Sequence, residues 1–309
     1  PEMLMFNAPM APWSPADSVA IVKLMGLQLS GHLEAEVIRA RTSLALPDQK
    51  RLADILPDAP GSGIAALPEY ASLAPGVKRF ADNIPLDPHP LSPFKHLAFA
   101  GASNAFAAAP SRSASGGTLL ANDPHLGFTA PSIWYLARLE LASGGVIGAT
   151  IPGLPVVLTG RSADLGWGLT SAYVDDQDVY IEEINPDNGQ EYRTPDGFKK
   201  FLTRSSIITI KDADPVTVTL RWTDNGPVLP GSHYNLASIT PPGHVTSVNW
   251  TVLSDQDTSL SAAMALMEAK TIEDGIAVSA GYIAPAQNLT LVDRTRIAMK
   301  TIGALPHRD

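Results

Sequence analysis

The sequence predicts an α+β protein, in which helices and strands occupy separate stretches of the chain. Apolar residues recur at helical spacing through residues 14–55, whereas short β-branched or aromatic segments bounded by Gly, Pro, Asn or Asp follow one another after residue 103. One further helical segment, at roughly 258–280, interrupts these strands. Runs of strands with segregated helices are typical of α+β proteins and not of an alternating, wound α/β sheet.

The first third of the chain predicts three helices. The first begins after Ser14, which supplies a cap, with Pro15 at the first helical position and Asp17 in the first turn. It is apolar around most of its circumference up to Gly31, which predicts a buried helix. Two amphipathic segments, HLEAEVIRARTSLAL and PDQKRLADIL, follow it.

Residues 57–102 differ from both neighbouring regions because they are rich in Pro, Gly and Ala and show little periodicity. Such composition predicts a linker or an exposed excursion. The strand-like segments that follow are GGTLLAN, IWYLARLELA, GVIGATI, PVVLTG, LGWGLTSAYV, QDVYIEEI, SSIITIK, PVTVTLRW, VTSVNWTVL, NLTLVD and RIAMKTI.

Composition and charge exclude several classes of function. The chain has 309 residues, a net charge of −9 and no cluster of Lys or Arg, which argues against a nucleic-acid partner and against an anionic membrane surface. No apolar run is long enough to span a bilayer. The absence of cysteine excludes a thiol nucleophile and disulfides. Because the chain begins at Pro1 without Met and ends in the loop-like IGALPHRD, we expect a fragment truncated at both ends.

Ser103, in the stretch GASNAF, has three interpretations. It is an ordinary turn residue, the nucleophile of a strand–helix elbow, or a residue that becomes an N-terminus when the chain is cleaved before it. The elbow motif requires Gly where Ala105 stands and a helix after the serine, but a strand-like stretch follows. A serine at the head of a chain carries its own base, because an α-amine with a pKa of about 7.7–8 accepts the hydroxyl proton.

Metal sites are indicated at one place only. The seven histidines show none of the spacings of zinc sites. The segment VDDQDVY, residues 174–180, places three carboxylates within four positions at the head of a strand. Spacing alone leaves two interpretations open, a solvated loop and a site for a hard cation such as Ca²⁺.

Taken together and in this order, six motifs resemble those of the penicillin acylases, a branch of the N-terminal-nucleophile hydrolases that includes acyl-homoserine-lactone acylases. They are PWSPADSVAIVKLM, SNAF, SGGTLLANDPHLG, PGLPVVLTGRSADLGWGLTSAYVDDQDVY, NGPVL and APAQNLTLVD, which span nearly the whole chain. The resemblance implies a four-layer αββα sandwich of two antiparallel sheets flanked by helices. It also implies three parts: residues 1–60 from the small subunit, a spacer at 61–102 that is excised, and residues 103–309 from the large subunit.

The resemblance assigns the catalytic residues one by one. Ser103 matches the nucleophile that heads the large subunit, and His125 matches the residue beside its free amine. The backbone N–H of Ser171 and the side-chain amide of Asn288 match the two oxyanion donors, and Arg308 matches an arginine near the site. A packed histidine in a tight loop remains an alternative for His125.

Binding residues follow from the same resemblance. Leu126 and Leu169 match positions that line the acyl pocket. Asp175 and Asp178 match carboxylates of a structural calcium site, Gln177 a backbone-carbonyl ligand, and Asp17 the acidic ligand from the small subunit. Catalysis itself would need no cofactor. Two features depart from the family pattern: Ala102 replaces the commoner Gly before the nucleophile, and Phe106 replaces Trp.

We therefore expect an amide hydrolase that deacylates N-acyl substrates, most closely N-acyl-homoserine lactones or related aliphatic amides. The partners would be the two subunits of one precursor, and the resemblance implies a periplasmic location. The alternatives are an acylase acting on penicillin or cephalosporin side chains, an inactive relative that serves as a binding or scaffold protein, and an ordinary serine hydrolase that works from one intact chain.

Overall fold

The computed structural model describes residues 12–46, 49–55, 70, 102–126, 130 and 132–308. The helices in this part of the chain are α1 (Pro15–Leu29), α2 (His32–Ala45), α3 (Gln49–Ile55), α4 (Ser259–Leu266) and α5 (Ile272–Val278). The strands are β1 (Ala102–Ala108), β2 (Leu119–His125), β3 (Tyr135–Leu141), β4 (Gly144–Thr150), β5 (Thr159–Arg161), β6 (Gly166–Ser171), β7 (Gln177–Glu183), β8 (Glu191–Thr194), β9 (Gly197–Lys200), β10 (Leu202–Ile208), β11 (Val216–Thr223), β12 (Gly226–Leu229), β13 (His244–Trp250), β14 (Gln287–Val292) and β15 (Ile297–Ile302).

The strands form two large antiparallel sheets and two hairpins. The six-stranded sheet has the order β15–β14–β6–β5–β4–β3, and the five-stranded sheet has the order β10–β11–β12–β13–β7. Strands β1 and β2 form one hairpin, and β8 and β9 form the other. The α+β class, with antiparallel sheets flanked by helices, is confirmed.

The main core lies between one face of the six-stranded sheet and helices α4 and α5. Trp167, Leu289 and Leu291 of the sheet are fully buried and pack with Leu266 and Ile272 of the helices. Leu291 pairs with Trp167 across β14 and β6, so one buried face carries all three sheet residues. This packing fixes β6 and β14, the strands that carry the predicted oxyanion residues.

The hairpin β1–β2 contacts the strands β6 and β14 of the same sheet. Gly168 permits its close approach, because a Cβ at this position would lie 3.0 Å from the Cβ of Asn122. The strand that bears Ser103 is thereby held directly over β6.

A second core joins α2 to the five-stranded sheet. Leu33 and Val37 of α2 pack with Val248 and Trp250 of β13 and with Leu236 of the short helix that follows β12. The first segment of the chain is therefore integrated with the strands on the far side of residues 57–102.

The predicted burial of α1 is wrong. Met25 and Gly26 are buried, but Val19 and Leu24 are 43% and 40% exposed. Only one face of α1 packs against the rest of the described chain, where Gly26 allows close contact with Val252. The apolar opposite face explains why the sequence suggested complete burial.

Each predicted strand segment contains a strand, although PVVLTG forms one only at Thr159–Arg161, and VTSVNWTVL turns into a 3-10 helix at Thr251–Leu253. The strands β8, β9 and β12 were not predicted. The division at 1–60, 61–102 and 103–309 stays a prediction, and its spacer lies outside the described residues except for Tyr70 and Ala102. No helix among the described residues combines the length and the apolarity needed to cross a bilayer.

Candidate active site

Ser103 is the second residue of β1 and lies opposite Pro124 of β2. The strand alternates between more exposed and half-buried positions, and Ser103 belongs to the half-buried set. Ala102 precedes it in the same strand, so the Ser103 nitrogen is a peptide nitrogen in this structure. The side chain lines a cavity that the neighbouring strands complete.

His125 lies opposite Ala102 in the hairpin, one register position from Ser103. Its Nε2 is 2.8 Å from Oδ2 of Asp123, and both side chains are substantially exposed. Residues two apart on a strand share a face, so β2 itself brings the carboxylate to the ring. Asp123 was not singled out from the sequence. The Asp123 carboxylate therefore holds the imidazole on the face of the hairpin that also carries Ala102.

Asn122 is a second residue that sequence reasoning missed. Its Nδ2 donates to the backbone oxygen of Asn104 at 2.8 Å and to that of Leu169 at 3.0 Å. Its Oδ1 accepts from the Leu169 N–H at 3.1 Å. The side-chain amide thus pairs with β6 as a neighbouring peptide would, and it fastens β1, β2 and β6 together. The run NDPH was the available sequence signal, because the side-chain amide of Asn can both donate and accept hydrogen bonds as a peptide group does.

The two predicted oxyanion residues lie on adjacent strands. Ser171 ends β6 and pairs with Gln287, while Asn288 pairs with Thr170. The Asn288 Oδ1 accepts a hydrogen bond from Thr301 Oγ1 at 2.8 Å, and its Nδ2 lies 3.5 Å from Thr170 Oγ1. The amide is therefore oriented with its nitrogen towards the residue that precedes Ser171.

One cavity of about 110 Å³ collects five of the seven predicted catalytic and substrate-binding residues. Its wall includes Ser103, His125, Ser171, Leu126 and Leu169. Large apolar side chains and Ala263 form much of the remaining lining: Val22, Met25, Leu29, Trp134, Ile151, Leu154, Val156, Leu158, Leu260, Ala263 and Tyr282. Polar residues also line it: Asn122, Thr159, Thr170, Tyr173, Ser259 and Gln287. Neither Asn288 nor Arg308, both of them described, belongs to this wall. The cavity therefore combines hydroxyl, amide and imidazole groups with a mainly apolar wall.

Helix α1 supplies one side of the cavity. Val22, Met25 and Leu29 lie three and four residues apart, so one face of the helix presents them together. The Ser18 hydroxyl donates to the Gly153 oxygen at 2.5 Å, which fixes the helix against the sheet. The first segment of the chain is thus part of the candidate site.

The predicted calcium ligands are only partly brought together. Asp175 and Asp178 form a cluster with Glu36 of α2, in which one oxygen from each carboxylate lies within 4.8 Å of the others. Asp17 is not in this cluster; its carboxylate accepts from the Ser14 N–H at 2.6 Å and the Ser14 hydroxyl at 2.8 Å, at the start of α1. Both of these hydrogen bonds use Oδ2 in the cap of α1, and the role of Asp17 as a calcium ligand stays a prediction.

The acidic cluster also ties α2 to β7. The Glu36 Oε2 accepts from the Val179 N–H at 2.9 Å, and the Gln177 Oε1 accepts from the Leu33 N–H at 2.7 Å. Burial raises the pKa of the Glu36 carboxyl to about 7, and the negative charges of Asp178 and Asp175 add to the rise. The positive charge of Arg308 opposes this rise in the pKa of Glu36 without cancelling it.

Arg308 lies in this cluster and not in the cavity wall. Its Nε is 2.9 Å and 3.1 Å from the two carboxylate oxygens of Asp178. Its Nη2 is 3.0 Å from Asp175 Oδ2 and 3.2 Å from the Asp175 backbone oxygen. Three carboxylates suit Ca²⁺, which takes oxygen ligands at about 2.3–2.6 Å. The guanidinium, however, already engages the oxygens of both aspartates, so the residues as arranged do not fit the ion.

Comparison with known proteins places this arrangement in a family. The family model described as penicillin amidase matches residues 1–309.

The chain belongs to the penicillin amidase family.

Two curated members of the penicillin amidase family show how much of the molecule is present. The acyl-homoserine lactone acylase QuiP of Pseudomonas aeruginosa is 27% identical over 312 residues, which cover 96% of this chain and 36% of that protein. The QuiP acylase of Pseudomonas syringae pv. tomato is 30% identical over 307 residues, with the same two coverages. The chain therefore spans about a third of the length of the curated family members that it matches.

A solved structure supports the fold of this penicillin amidase family member. The thermostable penicillin G acylase of Alcaligenes faecalis matches with a TM-score of 0.58 and 23% identity, over 67% of this chain and 36% of the other. At this level of identity, the likeness supports the fold.

Proposed function

We propose that this chain is the nucleophile-bearing portion of an acylase that hydrolyses N-acyl substrates through a freed N-terminal serine at position 103. One observation carries the proposal: Ser103, His125 and Ser171 share a cavity with the apolar residues Leu126 and Leu169. A hydroxyl nucleophile at the mouth of an apolar cavity suits a substrate with a polar amide and an apolar acyl group.

The chemistry requires cleavage of the peptide bond between Ala102 and Ser103, which turns the Ser103 nitrogen into an amine. The Ser103 Oγ attacks the substrate carbonyl carbon while its proton passes to that amine. The tetrahedral oxyanion accepts hydrogen bonds from the Ser171 N–H and the Asn288 Nδ2, each worth about 10²–10³ in rate. The amine then gives the proton to the leaving nitrogen, and water cleaves the acyl ester to a carboxylic acid.

His125 orients the freed amine in this proposal. It lies opposite Ala102 in the hairpin, and its ring is anchored by Asp123. Removal of Ala102 from the end of β1 would leave the imidazole beside the new chain end. A side chain that acts through another group in this way is a positioning residue.

The cavity favours an aliphatic acyl chain. Branched aliphatic residues and Met25 are the largest group of residues in its lining. Burial of each methylene contributes about 0.8 kcal/mol, which corresponds to about a fourfold gain in affinity. The QuiP relatives are named for acyl-homoserine lactones, and we propose this substrate class, or related aliphatic amides, here as well.

The two segments on either side of the spacer would remain together as a heterodimer after its excision. Hydrogen bonds join Ser18 to Gly153, Leu33 to Gln177 and Glu36 to Val179. Lys23 of α1 also pairs with Asp257. Two buried apolar contacts, at α1 and at α2, supplement these bonds. A periplasmic location is the part of the proposal that rests on the resemblance alone.

A substrate panel tests this function in the full-length protein. We expect kcat/KM for N-acyl-homoserine lactones to rise about fourfold per methylene until the cavity is full. The Ser103→Ala variant should show no turnover. A phenylacetyl amide preferred over every aliphatic substrate would support action on penicillin side chains instead. No turnover of any amide, with no labelling of Ser103 by a serine-directed covalent inhibitor, would indicate an inactive scaffold.

A further inference from the structure

We propose that Arg308 is the resident cation of the cluster formed by Glu36, Asp175 and Asp178. Its guanidinium would take the place of a divalent metal by joining β7 to the loop between β6 and β7, in the cluster that also contains Glu36 of α2. This role differs from the expected one near the nucleophile, and it stands independently of the proposed substrate.

The geometry of the contacts supports this assignment. Arg308 reaches Asp178 through both Nε and Nη2, the second at 2.9 Å from Oδ1. Its Nη2 also reaches Asp175 at a carboxylate oxygen and at the backbone oxygen. Arginine is suited to several simultaneous acceptors because its planar fork carries five N–H donors. A metal ion bound through these oxygens would displace it.

Burial supports the same conclusion. The side chains of Arg308 and Asp178 are only 8% and 1% exposed. An ionised carboxylate buried to this extent needs a charged partner, because the cost of desolvation is otherwise several kcal/mol. Arg308, the last residue of the described chain, supplies that partner to Asp175 and Asp178. Glu36 of α2 lies in the same cluster.

The contacts of Arg308 also affect the candidate site. Asp175 lies four residues after Ser171, in the loop that leaves β6. Tyr173 in this loop has φ +49°, an unfavourable backbone conformation for a residue with a side chain. Because Arg308 bonds the Asp175 backbone oxygen, it holds this loop and with it the end of β6. The cluster therefore supports the strand that carries the proposed oxyanion donor.

Metal content and thermal unfolding of the full-length protein test the proposal without using activity. After dialysis against a calcium-free buffer, we expect no stoichiometric calcium by elemental analysis at this cluster, and no change of Tm with EDTA or CaCl₂. The Arg308→Gln variant should lose roughly 10 °C in Tm. Added CaCl₂ should restore part of that loss, because the freed oxygens form a hard-cation site. The Asp175→Asn/Arg308→Gln double variant should lose the calcium response.

Arg296 provides the matched control. It makes comparable ion pairs with Glu273 and Asp293 but is 52% exposed, so Arg296→Gln should shift Tm by only a few degrees and should gain no response to calcium. Stoichiometric calcium in the dialysed wild type that is lost on Asp178→Asn substitution would overturn the proposal. So would an Arg308→Gln protein with the Tm of the wild type.

Discussion

The side-chain amide of Asn122 holds β1, the strand that carries Ser103, in register with β6. Its removal should lower kcat more than it weakens substrate binding. Asn122→Ala deletes hydrogen bonds of 2.8, 3.0 and 3.1 Å. At about 0.5–1.5 kcal/mol each, the loss is about 2–4 kcal/mol of local stability. A displacement of about 1 Å between Ser103 and the oxyanion donors can cost about 10²-fold in rate.

The assay is steady-state kinetics on the matured Asn122→Ala protein with its best acyl substrate. We expect kcat to fall by about 10²-fold with KM changed less than about threefold, because the apolar cavity is left in place. The kcat of Asn122→Asp should be no higher than that of Asn122→Ala, because a carboxylate oxygen would then face the two carbonyls of Asn104 and Leu169. Asn104→Ala is the control, because Asn122 contacts only the backbone of that residue. An unchanged kcat in Asn122→Ala, or an equal loss in Asn104→Ala, would refute this reasoning.

Three further changes test other parts of the site. The Asn288→Ala protein should still be cleaved before Ser103, but its kcat should fall by about 10²–10³-fold because one oxyanion donor is lost. Steady-state kinetics that show full activity would remove Asn288 from the mechanism. Leu126→Trp should fill the cavity and lower kcat/KM for long acyl chains by at least about tenfold while sparing the shortest, whereas Leu136→Trp, at an 81% exposed position, should not; equal losses at every chain length would contradict the pocket assignment. Asp293→Asn tests stability against pH. Burial opposes ionisation of this carboxyl, but hydrogen bonds from the Thr295 and Arg296 backbone outweigh it and lower its pKa to about 2. The stabilisation is present above the ordinary pKa of 3.8 and is lost as the pH falls towards 2, so a Tm deficit of a few degrees at neutral pH should disappear by pH 2. A deficit that persists unchanged at pH 2 would show that the carboxylate charge is not its source.

The fold class followed from the sequence because its signals are local. Periodic apolar residues marked α2, and β-branched runs bounded by turn residues marked the sheet strands. The hairpin β8–β9 was missed although Pro195 and Asp196 lie between its strands and Gly197, at φ +118°, begins β9. An Asp-Gly pair is a hairpin signal, but the charged residues around it weakened the strand pattern.

The composition of the acidic cluster could not be predicted from spacing. Asp175 and Asp178 are close in sequence, but Glu36 reaches them only because α2 packs on β7. Nothing in the local sequence distinguishes Glu36 from the other acids of the first helices, such as Asp17, which lies outside the cluster. Arg308 likewise meets these residues through tertiary packing. Contacts between residues so far apart in sequence are determined by the fold as a whole and not by a local motif.

The central claim is that Ser103 heads its own polypeptide when it acts. N-terminal sequencing of the fragments in catalytically active full-length protein tests this claim most directly. We predict a large fragment that begins Ser-Asn-Ala-Phe, together with a smaller one that contains α1 and α2. Full activity in a preparation whose Ala102–Ser103 peptide bond is intact would contradict the account.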